Sequence, residues 1–398
     1  MHSFFSSSRR SRASLLGGLL GALLLVLAVP ADAQTPDDPN TTVDPALFDD
    51  LDYRMVGPSR GGRVTTVAGH PAHPLTFYMG SVGGGVWKTT DYGNTWRNVS
   101  DGTSLTTGSM GAIQVAPSDT SVIYAGTGSD GIRSNVITGR GVYRSTDAGE
   151  SWSLLGLEES GQVGGIEVHP ENPDVAYVAA LGHPFGKNEQ RGVFKTTDGG
   201  ETWEKALFVS DSVGVIDVEM HPENPDVLYA GAWRGERKPW TIISGCAAPC
   251  GDGVWKSTDG GETWSHVLSG EDLPEGLIGK VDLGVSAANP DRVYALVEAK
   301  PPAEGLYRSD DRGESWDLVN DRYDLMERPF YYTNVTGHPT DADGVFVNAE
   351  QGFFKSTDGG ESFDRIPTPH GDNHDMWINP ENPDILIQSN DGGANVSL

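Results

Sequence analysis

The chain has 398 residues and a formal net charge of −28, from 56 acidic against 28 basic side chains. That excess of negative charge excludes nucleic acid and anionic membranes as partners, since both would repel it. It fits a highly soluble exported protein, and being spread through turns rather than gathered in a tail it specifies no fold.

The first segment reads as an export signal. Arg9, Arg10 and Arg12 precede an apolar run over 15–29, and Ala31-Asp32-Ala33 has the small-x-small form of a cleavage site, so residues 1–33 are predicted to be a signal peptide. The run is too short for a membrane span. Arg9-Arg10 permits a twin-arginine route, but the apolar residues expected just after such a pair are missing, which favours general secretion. The expected location is secreted, or periplasmic and in the cell envelope. Residues 34–50, rich in Pro, Asp and Thr, are predicted to be a flexible leader. The ordered domain is predicted over 51–398, with no membrane span in the mature chain.

From there one octad returns six times, Ser/Thr-x-Asp-x-Gly-x-x-Trp/Phe, with aspartates at Asp91, Asp147, Asp198, Asp259, Asp311 and Asp358. Spacings of roughly 50 residues are the period of a repeat architecture. Each copy follows a strand-like run such as Gly253-Val254-Trp255-Lys256 and reads as a tight turn into a return strand. The aspartate accepts hydrogen bonds from its own turn, and the glycine two residues on takes positive φ without steric cost. The aromatic needs cover, expected from the next repeat. These aspartates are therefore read as structural rather than catalytic.

A second signal recurs in step. Pro/Asn/Asp turns such as His221-Pro222-Glu223-Asn224-Pro225-Asp226 separate a first strand, Val215 to Met220, from a second, Val227 to Ala230. Four antiparallel strands per repeat, with no useful helical periodicity, give an all-β class and the blades of a β-propeller. The loop after the second strand of the fourth repeat carries the two cysteines, Cys246 and Cys250, expected to form a disulfide on export.

The octads identify the chain with the Asp-box (BNR) repeats. With the Asn-Pro-Asp turns and the opening Gly57-Pro58-Ser59-Arg60-Gly61-Gly62-Arg63, it resembles the bacterial sortilin-like (VPS10-type) propellers over essentially 52–398. Sialidases and xyloglucanases share the repeat. Gly392-Gly393-Ala394-Asn395-Val396-Ser397-Leu398 matches the approach to a seventh octad, so about six and a half blades are expected, truncated in the seventh, in an incomplete ring. The ten blades of sortilin-like propellers imply that more follow.

In such a blade the near-constant turns share one face and the irregular loops ring the channel mouth on the other, where a ligand is expected. Arg60 and Arg63, with Arg133, Asn135, His183, Arg191, Arg328, Tyr331 and Tyr332 from three irregular loops, are the candidate ligand-binding residues. Concentrated positive charge suits an anionic or carboxylate-bearing ligand; equally, each arginine could neutralise a carboxylate of its own loop. The densest group is His370-Gly371-Asp372-Asn373-His374-Asp375. His370, Asp372 and His374 would share one side if extended and could bind a ligand or a divalent cation, although the spacing matches no zinc signature and polar loop packing accounts for it as well. No other cofactor is implied.

Similarity to xyloglucanases raises hydrolysis, which needs two carboxylates facing one sugar linkage. Those enzymes place an acid in a Thr-Asp-Ile-Gly-Gly-like segment of an early blade; here Ser81-Val82-Gly83-Gly84-Gly85 has Val82 in that place. Asp391 is the remaining acid in a comparable context, with Asp372 or Asp375 as its partner. The primary expectation is a binder of peptide, protein or carbohydrate on the loop face, and the alternative a glycoside hydrolase of the xyloglucanase type.

Overall fold

A computed structural model describes residues 62–398, apart from 106–107, 130, 274–275, 332 and 398. The segments predicted as signal peptide and leader, and Arg60, Asp130 and Tyr332, lie outside the described residues.

Seven antiparallel blade sheets follow one another along the chain, with an extra two-stranded sheet of Gly235–Arg237 and Ile242–Ser244 in the blade 4 loop and no α-helix among the described residues. Blade 4 shows how the sequence builds the four-stranded ones. Gly214–Met220 runs innermost, Leu228–Trp233 returns beside it, Gly253–Ser257 follows and Ser265–Ser269 is outermost. His221 N donates to Val227 O at 3.0 Å and Asn224 N to His221 O at 3.3 Å, which closes the Pro/Asn/Asp turn. The octad closes the third-to-fourth turn through side chains. Ser257 Oγ donates to Asp259 Oδ1 at 2.8 Å and accepts from Gly261 N at 2.9 Å, while Thr263 N and Oγ1 donate to the two Asp259 oxygens. Gly261 has φ 88°, where a Cβ would be strained. Gly260 N then donates to Asp226 O at 2.9 Å, tying the octad to the first-to-second turn and placing both kinds of turn on one face.

The octad aromatics differ from expectation in one respect: each packs on the preceding blade. Trp152 of blade 2 donates to Val99 O of blade 1 at 3.1 Å, and Trp203 of blade 3 to Leu155 O of blade 2 at 2.9 Å. The following blade is reached instead by the second-strand tyrosines, as Tyr177 OH donates to Gly260 O of blade 4 at 2.9 Å. Large apolar groups thus fill every seam between blades, which are the hydrophobic cores of the domain.

The ring also closes, where an open one is expected from the sequence. Asn373–Ile378, Leu386–Asn390 and Gly393–Ser397 form a seventh sheet that packs against blade 1. Trp96 of the first octad covers Ala394 and Val396, and Phe77 meets the Trp377 ring edge-on with centroids 6.0 Å apart. Seven blades are present, slightly more than the six and a half expected, and the seventh sheet has three strands among the described residues.

Inner strands are linked by a belt of side chains at one register. Thr66 Oγ1 accepts from Ile113 N at 3.2 Å, Asp217 Oδ2 from Leu283 N at 2.7 Å, Asp282 Oδ1 from Val335 N at 2.9 Å and Asp375 Oδ2 from Val67 N at 2.9 Å. The last bond joins blade 7 to blade 1.

Candidate functional site

On the loop face five of the sequence-selected residues converge. Arg63 precedes the inner strand of blade 1, His374 opens that of blade 7, and Asp391 follows blade 7's second strand. Arg133 comes from the second-to-third loop of blade 2, and Tyr331 from the connection between blades 5 and 6. The Arg63 guanidinium makes a bidentate ion pair with Asp391. His374 Nε2 lies 3.0 Å from Asp391 Oδ1. Burial pushes the Asp391 carboxyl up, but the hydrogen bonds and charges of His374 and then Arg63 outweigh it and hold the group far below the usual carboxylate range.

Tyr331 bridges this pair to Arg133. Both guanidinium groups sit 5.5 Å from its ring centroid, and Arg133 Nη1 donates to its hydroxyl at 2.8 Å. A Cβ on Gly131 would lie 2.4 Å from the Tyr331 ring, so glycine is what admits the ring here. The neighbouring Phe330 packs onto Ile132, Leu181, Ile216 and Trp233. This connection therefore plugs the mouth of the channel rather than fringing it. Arg133 is half-buried, and among the described residues no carboxylate pairs with it.

The other candidates have local duties. Arg191, 1% exposed, donates to the carbonyl oxygens of Leu181, His183 and Gly186, so it holds its own loop together and does not face a ligand. Burial lowers its pKa to about 10. His183 Nδ1 accepts from Phe185 N at 3.2 Å within that loop. Arg328 pairs with Glu350 at 3.1 Å, and Asn135 is exposed. The run from His370 to Asp375 is not one extended face: His370 is half-buried with Nδ1 beside Gly371 O, and Asp372 turns the chain at φ 58° with its N–H on Glu350 O. Asp375 belongs to the belt, with Oδ1 also accepting from its neighbour Met376 N. Asp391 N donates to Asp372 O at 3.2 Å, which sets those two residues side by side, whereas Asp375 Oδ2 is engaged by Val67 N of blade 1.

Below the plug lies a feature the sequence reading missed. The inner strands enclose a cavity of about 650 Å³ lined by Glu167, Asp217, Glu219, Asp282 and Asp375, reaching to His70, Pro71, Pro117 and Glu381 on the turn face. The strand-period recurrence of acids in Val215-Ile216-Asp217-Val218-Glu219 and Val281-Asp282-Leu283 was the available signal. Burial, then the Asp217 charge, raises Glu167 to about 8; burial and the surrounding carboxylates raise Glu219 well above its ordinary value.

Opposite shifts give stability two pH limbs. Hydrogen bonds within the octads lower Asp198, Asp259, Asp311 and Asp358 to about 2. Their contribution is complete above the unfolded value of about 4 and is lost as pH falls to 2. Glu167 keeps in the folded state a proton that the unfolded chain releases above about 4.3, so stability declines as pH climbs from there to 8. The expected profile of melting temperature peaks near pH 4 to 5, and Glu167→Gln makes its upper limb shallower, leaving the part due to Glu219 and the other raised carboxyls. A melting temperature climbing steadily from pH 5 to 8 would refute this.

A model of the family described as "Sortilin, neurotensin receptor 3" matches residues 140–274. The xyloglucanase Xgh74A of Acetivibrio thermocellus is 26% identical over 315 residues, covering 64% of this chain and 35% of its own. The chain thus spans about a third of that relative's length. A solved GH74 xyloglucanase from Xanthomonas campestris superposes with a TM-score of 0.59 at 16% identity, over 86% of this chain and 52% of the other. A structure described as YCF48 bound to D1 peptide does so with a TM-score of 0.54 at 14% identity, over 87% and 97%. At such identities the structures speak for the fold alone. No helix among the described residues is long and apolar enough to cross a membrane. Repeats, blades and matched segment together make this chain a seven-bladed β-propeller that resembles the sortilin-like proteins and is distantly similar to the GH74 xyloglucanases.

Proposed function

We propose that the chain is an exported propeller whose loop face binds a peptide, protein or glycan through an anionic or carboxylate group. The observation carrying this reading is Arg133: a guanidinium set at the channel mouth by Tyr331, with no carboxylate neutralising it among the described residues. Arg63 beside it is already committed to Asp391, so it shapes the site and leaves Arg133 as the open cation. Export follows from residues 1–33 read as a signal peptide, and a Cys246–Cys250 disulfide suits an oxidising compartment. Likeness to a propeller holding a bound peptide supports a polypeptide ligand, and the xyloglucanase relatives support a glycan.

Hydrolysis is the second reading, favoured by those same relatives. It requires one carboxyl protonated at working pH and a second nearby to act as nucleophile or base. Asp391, locked by Arg63 and His374, is unsuited to the acid role and is available only as the ionised partner. The test is a screen of the full-length chain against a glycan array and a peptide library, with turnover measured on every ligand retained. Binding without release of reducing sugar is expected. Reducing sugar released from xyloglucan, and lost in Asp391→Asn, would replace the binding reading with the hydrolytic one.

A further inference from the structure

The two cysteines sit in the loop between the second and third strands of blade 4, and their surroundings exceed what a passive staple needs. Cys246 and Ala247 pair with Ile278 and Leu277 of blade 5, which anchors Cys246 to a sheet. Cys250 lies on the other limb of the loop, between Pro249 and Gly251, and both sulfurs belong to partly exposed residues. Behind them is Asp252, 1% exposed. Its Oδ2 lies 3.2 Å from Cys246 Sγ, and its Oδ1 is buried with no partner at bonding geometry. A disulfide sulfur carries no hydrogen, so this contact is a hydrogen bond only when the carboxyl holds the proton.

The groups around Asp252 keep the proton there. Burial raises its pKa to about 8; the N–H groups of Arg234 and Cys246 and the Arg234 charge oppose that more weakly, and Glu298 adds to it. His266 covers the remaining side, with Nε2 3.0 Å from the Asp252 backbone oxygen and its ring stacked on Trp255 at 4.5 Å. A hollow of about 80 Å³, lined by Cys246, Pro249, Cys250, Asp252, His266 and Glu271, leads to the sulfurs.

We propose that Cys246–Cys250 is a thiol–disulfide exchange site that accepts two electrons from a dithiol, with Asp252 as the proton donor to Cys246. One thiolate of the dithiol attacks Cys250 Sγ, and the Cys250–Cys246 bond breaks with its electron pair leaving on Cys246. Cys246 takes the Asp252 proton, and a mixed disulfide joins the donor to Cys250. The donor's second thiolate then attacks its own sulfur in that bond, expelling Cys250 as thiolate and closing the donor disulfide. The donor is oxidised by two electrons, the protein disulfide is reduced to two thiols, and solvent returns protons to Asp252 and Cys250. Protonation of the leaving sulfur is what the buried carboxyl adds over an ordinary exposed disulfide, since a lower-energy leaving group departs faster.

The experiment follows reduction of the oxidised full-length chain by dithiothreitol from pH 5 to 9, quenched with acid and read by mass spectrometry. With the rate divided by the concentration of attacking thiolate, the constant is expected to fall about tenfold from pH 7 to 9 as Asp252 loses its proton. In Asp252→Asn it is expected to be flat and about 100-fold lower at pH 6. Parental rates in Asp252→Asn at pH 6, or a flat profile in the parent, would overturn the proposal. Should that variant misfold, the parent still decides. A brief exposure to reduced glutathione is expected to place the adduct on Cys250, whereas an adduct on Cys246 or an even split overturns the assignment.

Discussion

Gly164→Ala is expected to lower the unfolding free energy by about 3 to 5 kcal/mol, the largest single-residue effect foreseen for this domain. Gly164 lies on the innermost strand of blade 3, Val163–Val168, and a Cβ there would stand 1.9 Å from the Ile216 carbonyl oxygen of blade 4. Gly111 of blade 2 stands in the same relation to Val163 O of blade 3, at 1.8 Å. Between blades 2 and 4 the inner strands therefore meet backbone to backbone, where elsewhere the belt residues Thr66, Asp217, Asp282 and Asp375 reach across. An added methyl has no flexible side chain to displace, so a whole blade must shift and open the seam packed by Tyr177, Val193, Val215 and Val218. Urea unfolding followed by tryptophan fluorescence measures the loss. Gly186→Ala is the matched control: nothing lies within 4 Å of its added Cβ, and a change within about 0.5 kcal/mol is expected. Equal midpoints for Gly164→Ala and its parent would refute the close-approach account.

The second large effect falls on binding. Arg133→Ala is expected to weaken capture of the best ligand from the peptide or glycan screen by about 30-fold or more, corresponding to roughly 2 kcal/mol. The side chain is held before the ligand arrives, by the Tyr331 hydroxyl at 2.8 Å and the ring 5.5 Å away, so little ordering cost is left for binding. Arg133→Lys keeps the charge but loses the planar fork and should recover only part of the affinity. Tyr331→Phe keeps the ring and removes the hydroxyl bond, with a loss of about 3- to 10-fold expected. Unchanged affinity in Arg133→Ala, measured by calorimetry alongside an unchanged melting temperature, would remove Arg133 from the site and with it the anionic-ligand reading.

Much of this protein is written locally. Ser257, Asp259, Gly261 and Thr263 lie within seven positions and bond to one another, so the turn they make is the same in every copy and legible from the residues alone. The Pro/Asn/Asp turns, the strand alternation and the resulting order of four strands per blade follow in the same way, as does the assignment of irregular loops to one face. The sequence by itself therefore determined a propeller, its blade boundaries and a short roster of polar loop residues. Tertiary structure decided which of those residues meet. Arg63 finds Asp391 across 328 positions and Arg133 finds Tyr331 across 198, distances over which no periodic signal operates. It also sent Arg191 inward to carbonyl oxygens, gave Asp375 to the belt and closed the ring on blade 1. The physical reason is that these outcomes depend on which surfaces remain unsatisfied once every blade has formed: an apolar blade face, an unpaired inner-strand N–H and a buried charge each take the partner that the circular packing brings within reach.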